Sequence, residues 1–443
     1  MSSAAHPAIG LNCDTRHSFV ERNFSRSFAR RLCQAMILLP LFWLILQPEY
    51  MQGAGDPEGK SILYRATVGP LRIVDILLLG LLAVHVLVLA GSRKLRITVP
   101  RSIAIPGVGF VAAIVVAMIY GAMQGGANLF FDWRALALGI GVFVVFAVWL
   151  QTQEDVRSAL LLFAGYMTLR IVILYAGFLR GGGDVLVGVR IPVFDGPTLS
   201  TIVFTAVIAS AMSDAARNRL QRILWTALSA ASYLLVLLCF RRTFWTELGI
   251  ATLLLLVLSR RHRGRKVVLA TTALAVVVAV LGPTFSERVQ SLDFTSGETE
   301  FSQGNPDHVG EVLDAWQQVQ KQPVLGIGLG RSFQTLSIQS WKEESVMVHN
   351  APLHVWLKYG LLGLAFYLWF HIAAFRWLWR MRGRDSLTAV IATALLAYLG
   401  AQFVVSVGFT PWPYSSLQST TLIAFVLAVA MAGATPCRLQ TFR

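Results

Sequence analysis

The sequence predicts an all-α integral membrane protein with about twelve transmembrane helices and one large periplasmic loop that contains an amphipathic helix. Two observations favour this fold class. Of the 443 residues, 55% are hydrophobic and only 14% are charged, whereas a soluble domain has about 25% charged residues. Several apolar runs also exceed the ~18 residues that indicate a membrane-spanning helix, for example LRIVDILLLGLLAVHVLVLAG and SLTAVIATALLAYLGAQFVVS.

Twelve apolar segments are candidate spans, namely residues 32–47, 71–91, 102–121, 133–150, 158–178, 195–212, 223–240, 244–258, 267–283, 351–372, 387–407 and 417–434. Because twelve is an even number, both termini are expected on the same side of the membrane. The predicted parts of the chain are an N-terminal tail (1–31), nine spans (32–283), a long loop (284–348), three spans (349–434) and a C-terminal tail (435–443).

The basic residues predict which side is cytoplasmic. The side that holds both termini has 24 Lys and Arg residues, the opposite side has 12, and two lie inside spans. The larger set lies mainly in short loops, where Lys and Arg collect on the cytoplasmic side. Both termini are therefore predicted to be cytoplasmic. This bias explains the formal net charge of +15 without nucleic acid as a partner, since no basic loop interleaves aromatic residues for base stacking.

The long loop Thr284–Val348 has nine acidic and four basic residues, a net charge of −5. Its segment HVGEVLDAWQQVQKQ predicts an amphipathic helix that lies on the membrane or over a cavity. The residues at helical spacing are Val309, Val312, Leu313, Trp316 and Val319. The following PVLGIGLGRSF predicts a tight loop over the membrane. A dinucleotide fold is disfavoured, because no strand and helix flank these glycines.

Several cations remain on the predicted outer face, where the charge bias gives no reason for them. Arg241 and Arg242 join two spans within CFRRTFWTE. They are either solvated ends of a hairpin or an anion site, because the planar guanidinium matches phosphate oxygens. Glu247 follows one turn later and would orient or neutralise one of them. Arg190 lies in another outer loop, GGGDVLVGVRIPVFDGP.

Two basic residues lie well inside predicted spans, where charge is costly and often functional. Arg170 is either functional or paired with Asp75 or Asp132. Lys358 lies four residues after His354 on the same helical face and would bind a lipid phosphate or a buried carbonyl.

His349 opens the apolar segment VHNAPLHVWLKYGLLGLAFY. Imidazole titrates near neutrality and can take a proton from a hydroxyl, while Arg residues stabilise a departing phosphate. Together these residues favour transfer from a diphosphate leaving group. The sequence has no Asp-x-Asp, no His-Glu-x-x-His and no cluster of His and Cys ligands, so neither a metal nor another cofactor is predicted.

Three motifs resemble the bacterial O-antigen ligase and polymerase family. The family has a His-Asn pair, a Leu-rich helix and a Gly-Leu-x-Gly motif, and these look like HNAPLHVWLKYGLLGLAFY. Its external helix and Gly-rich loop look like AWQQVQKQPVLGIGLGRSF. Its Arg at the outer end of a helix fits RRTFW. The matching positions are His349, Asn350, Gly360, Leu361, Gly363, Trp316, Pro323, Gly326, Gly328 and Gly330. One departure is that many members have an Arg a few residues before the Trp, where this chain has His308 and Glu311.

The resemblance implies a multi-pass glycosyltransferase of the bacterial inner membrane, active in lipopolysaccharide or exopolysaccharide biosynthesis. It would move a glycan from undecaprenyl diphosphate to an acceptor hydroxyl on lipid A-core or another glycan, at the periplasmic face. The transfer would be metal-independent and inverting. His349 would be the base, Arg190, Arg241 and Arg242 would hold the diphosphate, and Asn350, Glu247, Arg170 and Lys358 would support them.

Two alternatives stay open at this point. A polysaccharide polymerase of the same family would use the same chemistry on a different acceptor. A secondary transporter or flippase of lipid-linked glycan would also have about twelve spans and charged residues within them. The lack of internal repeats and the long acidic loop disfavour the transporter.

The charge distribution generates a topology prediction. An alkaline phosphatase fusion at Gln303 should be active and one at Arg263 inactive, because only an exported phosphatase folds into its active form. The reverse pattern would overturn the orientation, and with it the placement of the chemistry at the periplasmic face.

Overall fold

The computed structural model describes residues 35–43, 66–92, 99–180, 196–259, 304–334, 344–345, 348–382, 386–408 and 423–429, except 37, 70, 151, 240 and 426, together with scattered residues of 264–279. The labelled helices are α1 (Ile73–Ser92), α2 (Arg101–Met123), α3 (Leu129–Trp149), α4 (Gln153–Arg180), α5 (Gly196–Asp214), α6 (Arg219–Leu238), α7 (Arg242–Leu258), α8 (Gly304–Lys321), α9 (Ala351–Met381) and α10 (Ser386–Gly408). Two antiparallel ladders pair β1 (Thr67–Val68) with β2 (Leu71–Arg72) and β3 (Phe333–Gln334) with β4 (Glu344–Ser345).

Apolar helices occupy nine of the twelve predicted spans. Six are long and apolar enough to cross a membrane: Arg101–Met123, Asp132–Trp149, Gln153–Ala176, Arg219–Leu238, Ala351–Met381 and Leu387–Val407. Shorter apolar helices cover Ile73–Leu87, Thr198–Asp214 and Thr243–Leu258. The chain is thus consistent with an all-α membrane protein. The predicted spans 32–47, 267–283 and 417–434 are only partly described, so the count of twelve stays a prediction.

Helix α5 lies in the middle of the bundle and packs against α6, α7 and α10. Residues 198–213 of α5 are buried at every position. Ser, Thr and Ala are frequent in this stretch, and such small side chains allow neighbouring helices to approach closely in a membrane. The hydroxyl of Ser229 on α6 donates to the carbonyl of Ala206 on α5 at 2.9 Å. A polar contact therefore adds to the close packing of the α5–α6 hairpin.

Helix α9 differs from the predicted span 351–372, because it continues to Met381 and is broken at Gly360 (φ 68°, ψ −174°). A straight helix of that length would measure about 46 Å, well beyond a hydrocarbon core of about 30 Å. The part after Gly360 is long enough to span by itself. The break also frees backbone groups, and the amide of Leu361 donates to the carbonyls of Pro323 and Val324 at 3.0 and 3.1 Å.

Helix α8 forms where the amphipathic pattern predicts a helix. Of the apolar residues at helical spacing, Val309, Leu313 and Trp316 are exposed, while Val319 is buried. The acidic residues Glu311 and Asp314 are buried as well. The buried side of the helix is therefore partly polar. The exposed apolar side is the one available to a membrane surface, which remains the expectation for this helix.

Gly360 supplies a test of the break in α9. A Cβ atom at this position would lie 2.0 Å from the carbonyl oxygen of Val324, and the backbone angles are almost restricted to glycine. Gly360→Ala should therefore lower the stability of the purified protein by at least about 1–3 kcal/mol, measured by thermal unfolding. Gly165→Ala on α4 is the control, because nothing lies within 4 Å of its added Cβ. Equal melting temperatures for the two variants would contradict a required break.

Candidate active site

His349 lies immediately before α9, on a backbone fixed by its neighbours. Val348 is completely buried. Asn350 caps the helix, since its Oδ1 accepts from the amide of Leu353 at 2.9 Å. The Nδ2 of Asn350 donates to the carbonyl of Val407, at the end of α10, at 2.5 Å. Asn350, predicted as a supporting residue, therefore holds the start of α9 against the end of α10 and positions the adjacent imidazole.

The imidazole of His349 pairs with the carboxylate of Glu311 on α8. The Nδ1 atom lies 2.7 Å from Oε2 of Glu311, and the same oxygen accepts the backbone amide of His349 at 3.1 Å. The Glu311 side chain is 6% exposed and that of His349 is 26% exposed. A carboxylate accepts a hydrogen bond, so this contact favours the tautomer with its proton on Nδ1. Nε2 is then the atom that can accept a proton.

A glycine-rich turn at the end of α8 fixes the helix that carries Glu311. Gly326, Gly328 and Gly330 all have positive φ values. The amide of Ile327 donates to the carbonyl of Leu357 on α9 at 2.7 Å, and that of Leu329 donates to Ala117 on α2 at 3.0 Å. A Cβ atom on Gly328 would lie 2.7 Å from backbone atoms of Gly121. The turn fits between α2 and α9 because these glycines lack side chains.

A buried ion pair joins α3, α9 and the glycine-rich turn. The Nζ of Lys358 donates to Oδ2 of Asp132 at 2.8 Å and to the carbonyl of Arg331 at 2.5 Å. The amide of Gly330 donates to the same Asp132 oxygen at 2.8 Å. Lys358 is fully buried. Of the two interpretations that the sequence left open for Lys358, these contacts favour a buried carbonyl partner over a lipid phosphate.

Glu247 and Arg170 lie in polar clusters within the bundle. Glu247 is 1% exposed, and its Oε1 accepts from Ser200 at 3.2 Å and from Gln402 at 2.5 Å. These contacts tie α7 to α5 and α10. Arg170 donates to Thr198 at 2.8 Å. The pairing of Arg170 with Asp75 or Asp132 is not observed, because Asp75 pairs with Arg134 at 3.1 Å and Asp132 with Lys358.

The predicted diphosphate-binding arginines are only partly described. Arg241 precedes α7 and Arg242 is its first residue, whereas Arg190 lies outside the described residues. Six positions separate Arg241 from Glu247, a rise of about 9 Å. On α10, Gln402 binds Glu247 and Val407, five positions further on, binds Asn350. From the shared level of Glu247 and Gln402, similar numbers of residues thus lead along α7 back to Arg241 and along α10 to the start of α9. With an equal rise per residue in both helices, Arg241 and the start of α9 lie at a similar level of the bundle.

The sequence analysis did not predict the roles of Glu311 and Asp132. Glu311 was noted only as a departure from a family pattern, and Asp132 only as one of two potential partners for Arg170. A usable signal existed for Asp132, since an acidic residue in the first turn of an apolar span requires a buried cation or polar partner. For Glu311 the sequence offered no comparable signal, because its inward position is seen only in the structure.

The fold and the site define a polytopic membrane protein whose titratable pair lies at one end of an apolar helix bundle. Residues 226–368 match the family model of the O-antigen ligases. The matched segment covers less than half of the chain and contains Arg241, Glu311 and His349. It supports the O-antigen ligase family and confirms the resemblance that the motifs indicated. A search of curated proteins found no match.

The Asp132–Lys358 pair generates a stability prediction. Lys358→Met leaves the Asp132 carboxylate buried without its cation, which should cost about 3–5 kcal/mol and lower the melting temperature of the purified protein. The double variant Asp132→Asn with Lys358→Met should regain part of that loss, because no charge remains buried and the Asn oxygen still accepts the Gly330 amide. A single variant as stable as the wild type would show that this pair does not hold the turn.

Proposed function

We propose that the chain is a membrane glycosyltransferase of the O-antigen ligase type, acting at the periplasmic face. Its donor is a glycan on undecaprenyl diphosphate, and its acceptor is a hydroxyl of lipid A-core or another glycan. The observation that carries this proposal is the His349–Glu311 pair, which lies within the segment that matches the O-antigen ligases. The pair supplies a base that is partly exposed and held by a buried carboxylate.

The proposed reaction is metal-independent and inverting. Nε2 of His349 takes the proton from the acceptor hydroxyl, and the resulting oxygen nucleophile attacks the anomeric carbon of the donor sugar. The bond from that carbon to the diphosphate oxygen breaks, and undecaprenyl diphosphate leaves with the bonding electrons. The configuration at the carbon inverts, because attack and departure occur on opposite sides. Glu311 stabilises the imidazolium that forms, since its negative charge lies 2.7 Å from the ring.

Arginines are the proposed contacts for the departing diphosphate. Arg241 lies next to the N-terminus of α7, where helix amides also favour an anion. Arg242 and Arg190 complete the proposed site. The guanidinium groups would oppose the charge that builds up on the leaving oxygen. The polar cluster around Glu247 lies beneath Arg241 on the same helix and would keep α7 in register with α5 and α10.

An apolar cavity of about 370 Å³ supports a lipid-linked donor. It lies between α2, α3, α9 and the residues Ile423, Ala424 and Leu427, and its lining includes Gly107, Gly139 and Phe110. Phe110 packs edge-on against Tyr359 of α9 at 5.8 Å between ring centroids. An isoprenoid chain has the apolar surface that such a cavity accepts. In the proposed complex, part of the donor tail lies in this cavity.

The polymerase and the transporter remain the alternatives, and the intermediates in a deletion strain separate all three. Loss of a ligase leaves long lipid-linked polymer, and loss of a polymerase leaves single repeat units. Loss of a flippase keeps the donor on the cytoplasmic side. The His349–Glu311 pair favours an enzyme over a transporter, because it provides a base at the surface of the bundle.

The central test of the proposal is substitution of His349. His349→Gln keeps a polar side chain but cannot accept a proton near neutral pH, so transfer should fall by about 10²–10⁴-fold. The assay uses purified protein, lipid-linked glycan and acceptor, with the product followed on a gel. Glu311→Gln retains a hydrogen-bond acceptor and loses only the charge, so its loss should be smaller. Near-normal transfer by His349→Gln would remove the imidazole as the base.

Arg241 provides a separate test of donor binding. Arg241→Ala removes charge-assisted hydrogen bonds worth about 1.5–3 kcal/mol each, so transfer should fall by at least tenfold. Arg241→Lys should recover only part of the activity, because a point charge does not reproduce the guanidinium fork. Arg219→Ala is the matched control, since Arg219 begins α6 at the opposite end of the bundle. Full activity of Arg241→Ala at normal protein levels would contradict the diphosphate assignment.

A further inference from the structure

A second cavity lies at the other end of the bundle, between the start of α2 and the end of α9. Its volume is about 270 Å³. Three arginines from the two helices line it: Arg101 from α2, and Arg376 and Arg380 from α9. It is separate from the proposed active site, because His349 precedes the first residue of α9, whereas Arg376 and Arg380 lie in the last turns of that helix.

The three arginines line one cavity, and none of its described lining residues is Asp or Glu. None of the salt bridges within the described residues includes Arg101, Arg376 or Arg380. Two other cations at this end of the bundle have described partners. Lys266 pairs with Asp214 at 2.6 Å, and Arg382 donates to the carbonyl of Leu258 at 3.1 Å. The cavity therefore concentrates positive charge.

Apart from Ser102, the remaining described lining residues are apolar or aromatic. Trp369 lies about two turns before Arg376 and Ile105 about one turn after Arg101, on the side that leads into the spans, whereas Trp377 lies beside Arg376. Tryptophan is enriched at the level of lipid headgroups, where the ring has one apolar and one wet side. The cavity thus has cations at the helix ends and apolar walls toward the middle of the bundle. A phospholipid is complementary to this arrangement, because its anionic headgroup would face the cations and its acyl chains would face the apolar walls.

We propose that this cavity binds the headgroup of an anionic phospholipid in the leaflet opposite the active site. A general excess of Lys and Arg at the cytoplasmic side explains the number of cations but not their convergence on one cavity from two helices. Basic pockets between membrane helices bind anionic headgroups in this way. The lipid links α2 to α9, the helices that also enclose the glycine-rich turn, and so stabilises the fold.

The test compares phosphatidylglycerol with phosphatidylcholine. The purified protein should gain thermal stability with phosphatidylglycerol and little with phosphatidylcholine, and native mass spectrometry should retain the anionic lipid. The triple variant Arg101→Gln, Arg376→Gln, Arg380→Gln should lose that gain, because each cation contributes about a fivefold factor in affinity. The control Arg219→Gln, Arg222→Gln removes exposed arginines from α6 and should keep the gain.

Three results would overturn the proposal. These are equal stabilisation by both lipids, an unchanged lipid response in the triple variant, or the same stabilisation by glycerol phosphate without acyl chains, which would indicate a free anion. If the triple variant fails to fold, Arg376→Gln alone replaces it and should reduce phosphatidylglycerol retention about fivefold. Retention equal to the wild type would then count against the site.

Discussion

The glycine-rich turn depends on one buried interaction, the ion pair of Asp132 with Lys358. Asp132 is at the start of α3 and Lys358 is in α9 just before the break at Gly360. Both contact the turn, Asp132 through the Gly330 amide and Lys358 through the Arg331 carbonyl. Taking both charges out of water is costly unless each retains partners. The turn supplies a partner to each charge. The two helices and the turn therefore stabilise one another, and none of the three is satisfied alone.

This arrangement determines where the titratable pair lies. Helix α8 ends in the turn, so fixing the turn against α2 and α9 also fixes the end of α8. Glu311 then reaches His349, whose own backbone is held by the Asn350 cap and its bond to Val407. The imidazole is thus placed from two directions, by α8 and by α10. Such support fixes the orientation of a side chain in advance, and fixing the orientation of a reacting group lowers the entropic cost of a reaction.

The sequence predicted the helices better than the contacts between them. Apolar length alone located nine spans, since each is a property of about twenty consecutive residues. His349 and Arg241 came from motifs that are also local. The Asp132–Lys358 pair joins residues 226 positions apart, and Glu311 meets His349 from 38 positions away, so local patterns gave neither.

The electrostatic surroundings of His349 follow from this pairing. His354 is buried near both pairs, close enough to interact with Glu311, His349, Asp132 and Lys358. Lys358 alone would oppose a positive charge on a nearby imidazole, but Asp132 neutralises it at 2.8 Å. The Glu311 carboxylate lies 2.7 Å from Nδ1 of His349 and accepts a hydrogen bond from the ring. An arginine at position 311 has no acceptor and could not make this contact. The glutamate, although a departure from the family pattern, is therefore a residue type that holds His349 in the tautomer with its proton on Nδ1.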